Sequence, residues 1–154
     1  MATTYRLSGT IEPSIDINAP VSVRSSMDVH APINRVWNIL TDFGRWPEWN
    51  SAVTEMEPSG PVGVGMTFRW RAGSVINSQV FRVTPPTVIA WTGRTMGIDA
   101  VHVWRLAPSG LGTTVTTEES FQSMLVRLFP RYFHRMLTGS LDTVLRDLKR
   151  AAER

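Results

Sequence analysis

The side chains best equipped for chemistry in this chain of 154 residues are one histidine and one glutamate, His102 and Glu119. Each lies in a stretch where apolar and polar residues alternate with a period of two, the mark of a half-buried strand. With Arg105 in water, His102, Trp104 and Leu106 point inward; with Val115 and Phe121 as apolar anchors, Thr117 and Glu119 are carried to the same side. Pro108-Ser109-Gly110-Leu111-Gly112 joins the two stretches as a hairpin loop. Setting Trp104 opposite Val115 puts Ala100 opposite Glu119 and makes His102 its diagonal neighbour, within reach of a long side chain. A His–Glu pair in an apolar interior can act as general base and acid, because burial moves the two pKa values from opposite sides or binds the groups as an ion pair. That is the chemistry of an aldol cyclisation or a dehydration. The plainer alternative is a structural hydrogen bond that satisfies both groups.

Other chemistries find little footing. His30, His102 and His134 sit on three separate elements, without the paired spacing of a metal site. The chain has no cysteine, hence no disulfide framework and no thiol nucleophile. It has no Gly-x-Ser-x-Gly elbow. Gly60, Gly63 and Gly65 precede a strand pattern and no helix, so they read as turn punctuation and not as a dinucleotide fingerprint. No metal and no cofactor is expected.

The elements that must position His102 and Glu119 follow from periodicity. Seven strands are expected, over residues 21–30, 52–57, 66–71, 74–84, 88–92, 99–107 and 113–121. In the third, Met66, Phe68 and Trp70 alternate with Thr67, Arg69 and Arg71. In the fourth, an outward Arg82 turns Phe81 and Val83 inward and carries Gln79 and Asn77 with them; in the fifth, Trp91 points inward beside Ile89. Between the first two strands, Pro32 suits a helix start, and Ile33, Val36, Trp37 and Leu40 form one buried helical face that Gly44 ends. Trp46-Pro47-Glu48-Trp49 is then a second short turn holding two indoles together. From residue 122 the period becomes helical: Met124, Leu125, Leu128 and Phe129 make a segment that Pro130 interrupts. Phe133, Leu137, Leu141, Val144, Leu145 and Leu148 make a long amphipathic helix. A bend or a close approach to the sheet would account for Gly139-Ser140 in its middle. The sum is an α+β fold: a curved antiparallel sheet of about seven strands wrapped around a long C-terminal helix, with two short helices after the first strand.

Such a sheet gathers large side chains on its concave face. Trp37, Trp46, Trp49, Phe68, Trp70, Phe81, Trp91, Trp104, Phe121, Phe129 and Phe133, with Leu137 from the helix, are all expected there. Any one of them is ordinary core. The mixture argues for more. Gln79, His102, Thr117 and Glu119 share the aromatic face, and buried polar groups cost about 1–3 kcal/mol each unless partnered. An apolar hollow with a few convergent polar groups is the usual form of a small-molecule site. The Trp46–Trp49 turn and loops 58–65 and 93–97 are expected near its entrance, with Met96 as an adaptable contact.

The stretch MDVHAPINRVWNILTDFGRWPEWN, residues 27–50, resembles the opening of the START-like helix-grip superfamily (SRPBCC), and within it the polyketide cyclase/dehydrase and lipid-transport group. The resemblance runs over residues 21–152. It implies the helix-grip fold and an apolar ligand cavity without naming the ligand, because the superfamily carries carriers, sensors and enzymes on one scaffold. Three functions are therefore carried forward. The first is binding or transport of a small hydrophobic ligand: a lipid, an isoprenoid or an aromatic polyketide-like molecule. The second is a polyketide cyclase or dehydratase using His102 and Glu119, and the third a co-chaperone-like interaction module.

Composition narrows the partners. At 42% hydrophobic residues the chain is an ordinary globule, with residues 1–20 an N-terminal extension and 21–154 one domain. No apolar run is long enough to span a bilayer and the N-terminus lacks a signal-peptide core, so a cytoplasmic protein without an integral membrane segment is expected. Fifteen of the sixteen basic residues are arginine, yet net charge is only +3. Scattered arginines are no nucleic-acid footprint. Arg127, Arg131 and Arg135, four residues apart, are the one cluster; they read as a solvated helix face, or as a contact to anionic lipid or to a ligand's acid group. A monomer or a homodimer fits equally. Ile15-Asp16-Ile17-Asn18-Ala19-Pro20 echoes the later Met27–Pro32 hexapeptide and reads as an added edge strand or an arm.

Overall fold

Between residues 66 and 122 the period of two dominates, and nearly all of this stretch is strand in the computed structural model, which describes residues 13–154. In chain order the elements are β1 (Val21–Val29), α1 (Ile33–Thr41), a single 3-10 turn (Phe43–Arg45), α2 (Trp46–Trp49), β2 (Glu55–Pro58), β3 (Thr67–Ala72), β4 (Ser74–Thr84), β5 (Val88–Thr95), β6 (Ile98–Ser109), β7 (Gly112–Gln122), α3 (Met124–Leu128) and α4 (Pro130–Ala152). All seven strands form one antiparallel sheet in the order β1-β7-β6-β5-β4-β3-β2. The sheet is curved, and α4 packs across its concave face. This is the α+β helix-grip arrangement that the resemblance implied.

Local chemistry explains the breaks. The carbonyl of Pro32 accepts the amides of Arg35 and Val36 at 3.0 and 3.2 Å and starts α1, whose Val36, Trp37 and Leu40 are buried. Gly44 does not end this helix: Asp42, with ψ 73°, already leaves helical geometry, and Gly44 falls inside the 3-10 turn. The Ser123 side chain accepts the Val126 amide and caps α3. Pro130 occupies the first turn of α4, where its missing N–H costs nothing, and so separates the two helices. Gly139 is not placed by crowding, since a Cβ there would meet nothing within 4 Å.

Two sequence expectations fail at the level of pairing. A bulge shifts the β4–β5 register between Val80 and Arg82. Before it, Ser78 and Val80 are buried on the concave side while Asn77 and Gln79 face water; after it, Val83 packs on the concave core. Gln79 is therefore exposed, and Phe81 packs with Ala90, Val101 and Val103 on the convex face. An extra residue in one strand reverses the alternation on either side of it, which strict counting from Arg82 misses. The β6–β7 loop is also shorter than the five residues expected: Ser109 pairs with Gly112, and only Gly110 and Leu111 turn the chain.

The Ile15–Pro20 hexapeptide forms no strand. Ile15 is buried against Ala90 and Val103, Asp16 accepts a hydrogen bond from Gln122, and the Arg105 guanidinium donates to the Pro13 carbonyl, so this segment lies as an arm over the convex face. Residues 1–12, the rest of the stretch expected as an N-terminal extension, lie outside the described residues. Among the described residues no helix is long and apolar enough to cross a membrane.

Candidate functional site

The concave interior is divided in two. Toward the end of the sheet next to α1 and α2 it is solid. Phe43 stacks on Trp46 at 5.0 Å and packs at 4.7 Å on Phe68, and Trp46 meets Trp91 at 5.6 Å, over Val144, Leu145 and Leu148 of α4. Toward the start of α4 the inward positions of the strands carry small residues instead: Ser78 on β4, Gly93 on β5 and Ala100 on β6. These cannot reach α4, and a cavity of about 440 Å³ remains. Trp70, Ile76, Trp91, Ile98, Phe121, Phe133 and Leu137 supply most of its apolar wall. Its mouth lies between the β3–β4 turn at Gly73, the β5–β6 turn at Met96, and the exposed Leu125, Tyr132 and Met136 of α3 and α4.

His102 and Glu119 stand on this wall. The observed register sets them directly opposite each other, where the sequence placed them on a diagonal, because the two-residue loop pairs Trp104 with Thr117 and not with Val115. His102 is 7% exposed, wedged between Trp91 and Trp104 at ring separations of 5.0 and 5.3 Å. Its Nε2 lies 2.6 Å from the hydroxyl of Thr117, which is fully buried behind it. Its Nδ1 lies 3.6 Å from Glu119 Oε2, beyond hydrogen-bond length. Burial pushes the Glu119 carboxyl up to about 8 and the His102 imidazole down to about 3. Both groups are thus uncharged at neutral pH: Glu119 holds a proton and His102 has a free ring nitrogen. Thr117 engages Nε2, leaving Nδ1 on the side of Glu119 and the cavity. In the tautomer whose Nε2–H donates to Thr117, Nδ1 is an acceptor, and a ligand hydroxyl approaching Nδ1 and the protonated carboxyl together would meet one acceptor and one donor. On the β4 side, the Trp70 indole N–H donates to Ser78 Oγ at 3.1 Å, so the second polar group of the wall is already partnered.

Of the residues expected to line a site, Trp70, Trp91, Met96, His102, Glu119, Phe121, Phe133 and Leu137 border the cavity. Thr117 supports His102 from behind. Trp37, Trp46, Phe68 and Trp104 belong to the solid half, and Trp49 packs on its edge, 5.7 Å from Trp46. Gln79 and Phe81 face away, for the reason the bulge supplies, and Phe129, at the junction that Pro130 makes between α3 and α4, is exposed and does not line the cavity. The Trp46–Trp49 turn and loop 58–65 contribute nothing to the mouth, since both flank the filled half; of the three expected gate segments only 93–97 borders the cavity. Sequence reasoning passed over Ser78, Gly93, Ala100 and Ser140. Part of the signal was present, since alternation from Trp91 and His102 turns Gly93 and Ala100 inward, whereas Ser78 faces the cavity only because of the β4 bulge.

Comparison with known proteins bears on the fold and the family. A hypothetical protein of Helicobacter pylori is similar over 94% of this chain and 99% of its own, with a TM-score of 0.78 at 14% identity. A START superfamily protein of Mycobacterium smegmatis is similar over 86% and 97%, with a TM-score of 0.75 at 15% identity. The di-domain ARO/CYC protein StfQ of the steffimycin biosynthetic pathway is similar over 86% of this chain and 51% of its own, with a TM-score of 0.74 at 15% identity. At these identities the likeness is one of fold. No curated protein sequence matches the chain. The family model described as polyketide cyclase / dehydrase and lipid transport matches residues 11–153, and by that match the chain belongs to this family.

Proposed function

We propose that this protein binds a small, largely apolar ligand with one polar end, of the size and character of a lipid fragment, an isoprenoid or an aromatic polyketide-like molecule. The observation that carries the reading is the cavity of about 440 Å³, mostly apolar, with His102 and Glu119 exposed to it side by side. Small-molecule sites fall within about 300–1,000 Å³ and combine this kind of wall with few polar groups. Apolar burial, at about 25 cal/mol per Å², supplies affinity. The uncharged His–Glu pair supplies orientation, since it offers a ligand hydroxyl or carbonyl both a donor and an acceptor. Family membership supports a ligand-binding or cyclase role without choosing between them.

A second reading has its own observation in its favour. A proton-bearing Glu119 and an unprotonated His102 at neutral pH are the two protonation states that a dehydration needs. His102 would take the proton from the carbon beside a carbonyl while Glu119 gives its proton to the departing hydroxyl, releasing water and forming the double bond.

The test is titration with the neutral fluorophore N-phenyl-1-naphthylamine. The wild-type protein takes up about one equivalent. Gly93→Leu, which starts from a Cβ in ordinary contact with Ile76, Ser78 and Ala100 at 3.4–3.8 Å and extends into the cavity, binds at least about tenfold more weakly with its melting temperature kept. Equal affinity in the two proteins would end the cavity reading. Native mass spectrometry of protein from its own host would then identify the natural ligand. Turnover of that ligand, lost in His102→Ala and Glu119→Gln, would favour the second reading over simple binding.

A further inference from the structure

We propose that the cavity mouth docks on an anionic lipid bilayer, with Met96, Leu128 and Phe129 entering the headgroup region and Arg127, Arg131 and Arg135 meeting lipid phosphates. The proposal extends the cavity reading, since this surface surrounds the entrance, but it concerns a different partner and is tested without a ligand.

Three observations carry it. The first is where apolar surface is exposed. Of eleven large apolar side chains exposed among the described residues, six belong to one run through α3, the junction residue Phe129 and the start of α4: Met124, Leu125, Leu128, Phe129, Tyr132 and Met136. A seventh, Met96, crowns the hairpin across the mouth. Soluble proteins normally scatter such residues singly, and a contiguous patch marks a docking face.

The second is charge. Residues 120–141 contain three arginines and no acid, so this run alone carries a charge equal to the net +3 of the whole chain. Arg24, Arg45, Arg69, Arg71, Arg94 and Arg150 each have a carboxylate within 4.0 Å. Arg127, Arg131 and Arg135 are exposed and have no ion-pair partner among the described residues. On α4, Arg131 and Arg135 are one turn apart and sit beside Tyr132 and Met136, also one turn apart, so the basic and apolar stripes adjoin. Aromatic and aliphatic groups beside arginine form the composition of an interfacial helix, and anionic headgroups attract each such cation. The same charge argues against a second copy as the occupant, because a two-fold contact through this face would bring six arginines together.

The third is backbone strain. Met96 has φ 50° and is followed by Gly97 at φ 75°, in the two-residue β5–β6 hairpin turn. That turn type calls for Asn, Asp or Gly at its first position. A methionine there accepts an unfavourable conformation while holding an apolar side chain 78% exposed. Insertion of the side chain into lipid would remove the exposure and offset the strain.

Flotation with vesicles tests this, using phosphatidylcholine alone and phosphatidylcholine mixed with phosphatidylglycerol, at low and high salt. The expected result is partition into the mixed vesicles that high salt removes. Arg131→Glu with Arg135→Glu lowers that partition by at least about thirty-fold. Met96→Asn, which gives the turn its preferred residue, melts no lower than wild type and yet partitions several-fold more weakly, so a loss there cannot be blamed on unfolding. Gly93→Leu partitions as wild type does. No partition into anionic vesicles, or partition untouched by both surface variants, overturns the proposal. So does a dimer in sedimentation that Leu128→Glu dissociates, or an acidic protein that occupies this face in place of lipid. If naphthylamine uptake survives while vesicle binding fails, only the docking surface is lost; the reverse outcome would remove the cavity reading alone.

Discussion

Glu119→Gln replaces a titrating group on the cavity wall with an uncharged amide of the same shape. The carboxyl's folded pKa is raised by burial to about 8 from an ordinary 4.5. The folded protein therefore holds this proton more tightly than the unfolded chain, so the associated stability is fully present below about pH 4.5 and is lost as pH rises toward 8. Between about pH 5.5 and pH 8 the loss in wild type is on the order of 3 kcal/mol. The glutamine variant does not pay it. At about 2–4 °C per kcal/mol for a chain of this size, the melting temperature of Glu119→Gln should gain roughly 6–12 °C on wild type across that interval. Both proteins share every other titration, so the difference between their two curves isolates position 119. Differential scanning calorimetry at half-unit pH steps, with constant ionic strength, reads it directly. A gap that stays flat from acid to alkaline pH would refute the reasoning. It would mean that Glu119 is ionised in the folded state, held by water in the cavity or by a protonated His102, and the pair would then hold no neutral acid to offer a ligand.

Two further outcomes concern His102 and Gly112. His102→Ala orphans the buried Thr117 hydroxyl and should cost about 1–3 kcal/mol at neutral pH in denaturant titration. Because the folded imidazole is depressed to about 3 from 6.5, wild type loses stability as pH falls through that window, so its advantage over His102→Ala should shrink toward acid. Gly112→Ala should destabilise by about 3 kcal/mol or more, and thermal melting measures it: Gly112 has φ 140°, and a Cβ there would lie 2.5 Å from the Val29 carbonyl and 2.7 Å from the Ala31 amide nitrogen, both backbone atoms that cannot swing aside.

The amino-acid sequence determined the elements and the way most of them face, because those properties are local. Alternation in β3, β5, β6 and β7 was enough to turn Phe68, Trp91, His102 and Glu119 toward the interior, and the 3.6-residue period was enough to lay Phe133 through Leu148 along one side of α4. Tertiary structure alone decided what depends on pairing between strands. The turn at Gly110 and Leu111 pairs Trp104 with Thr117 in place of Val115 and so puts His102 opposite Glu119 and not on a diagonal, and a single bulge between Val80 and Arg82 sent Gln79 to water and Phe81 to the far face. Which half of the interior is full was also beyond the sequence. Filling is a sum of volumes from residues far apart in the chain. Phe43, Trp46, Phe68 and Trp91 meet over one half of α4, whereas Ser78, Gly93 and Ala100 meet over the other, and only the closed sheet brings either set together.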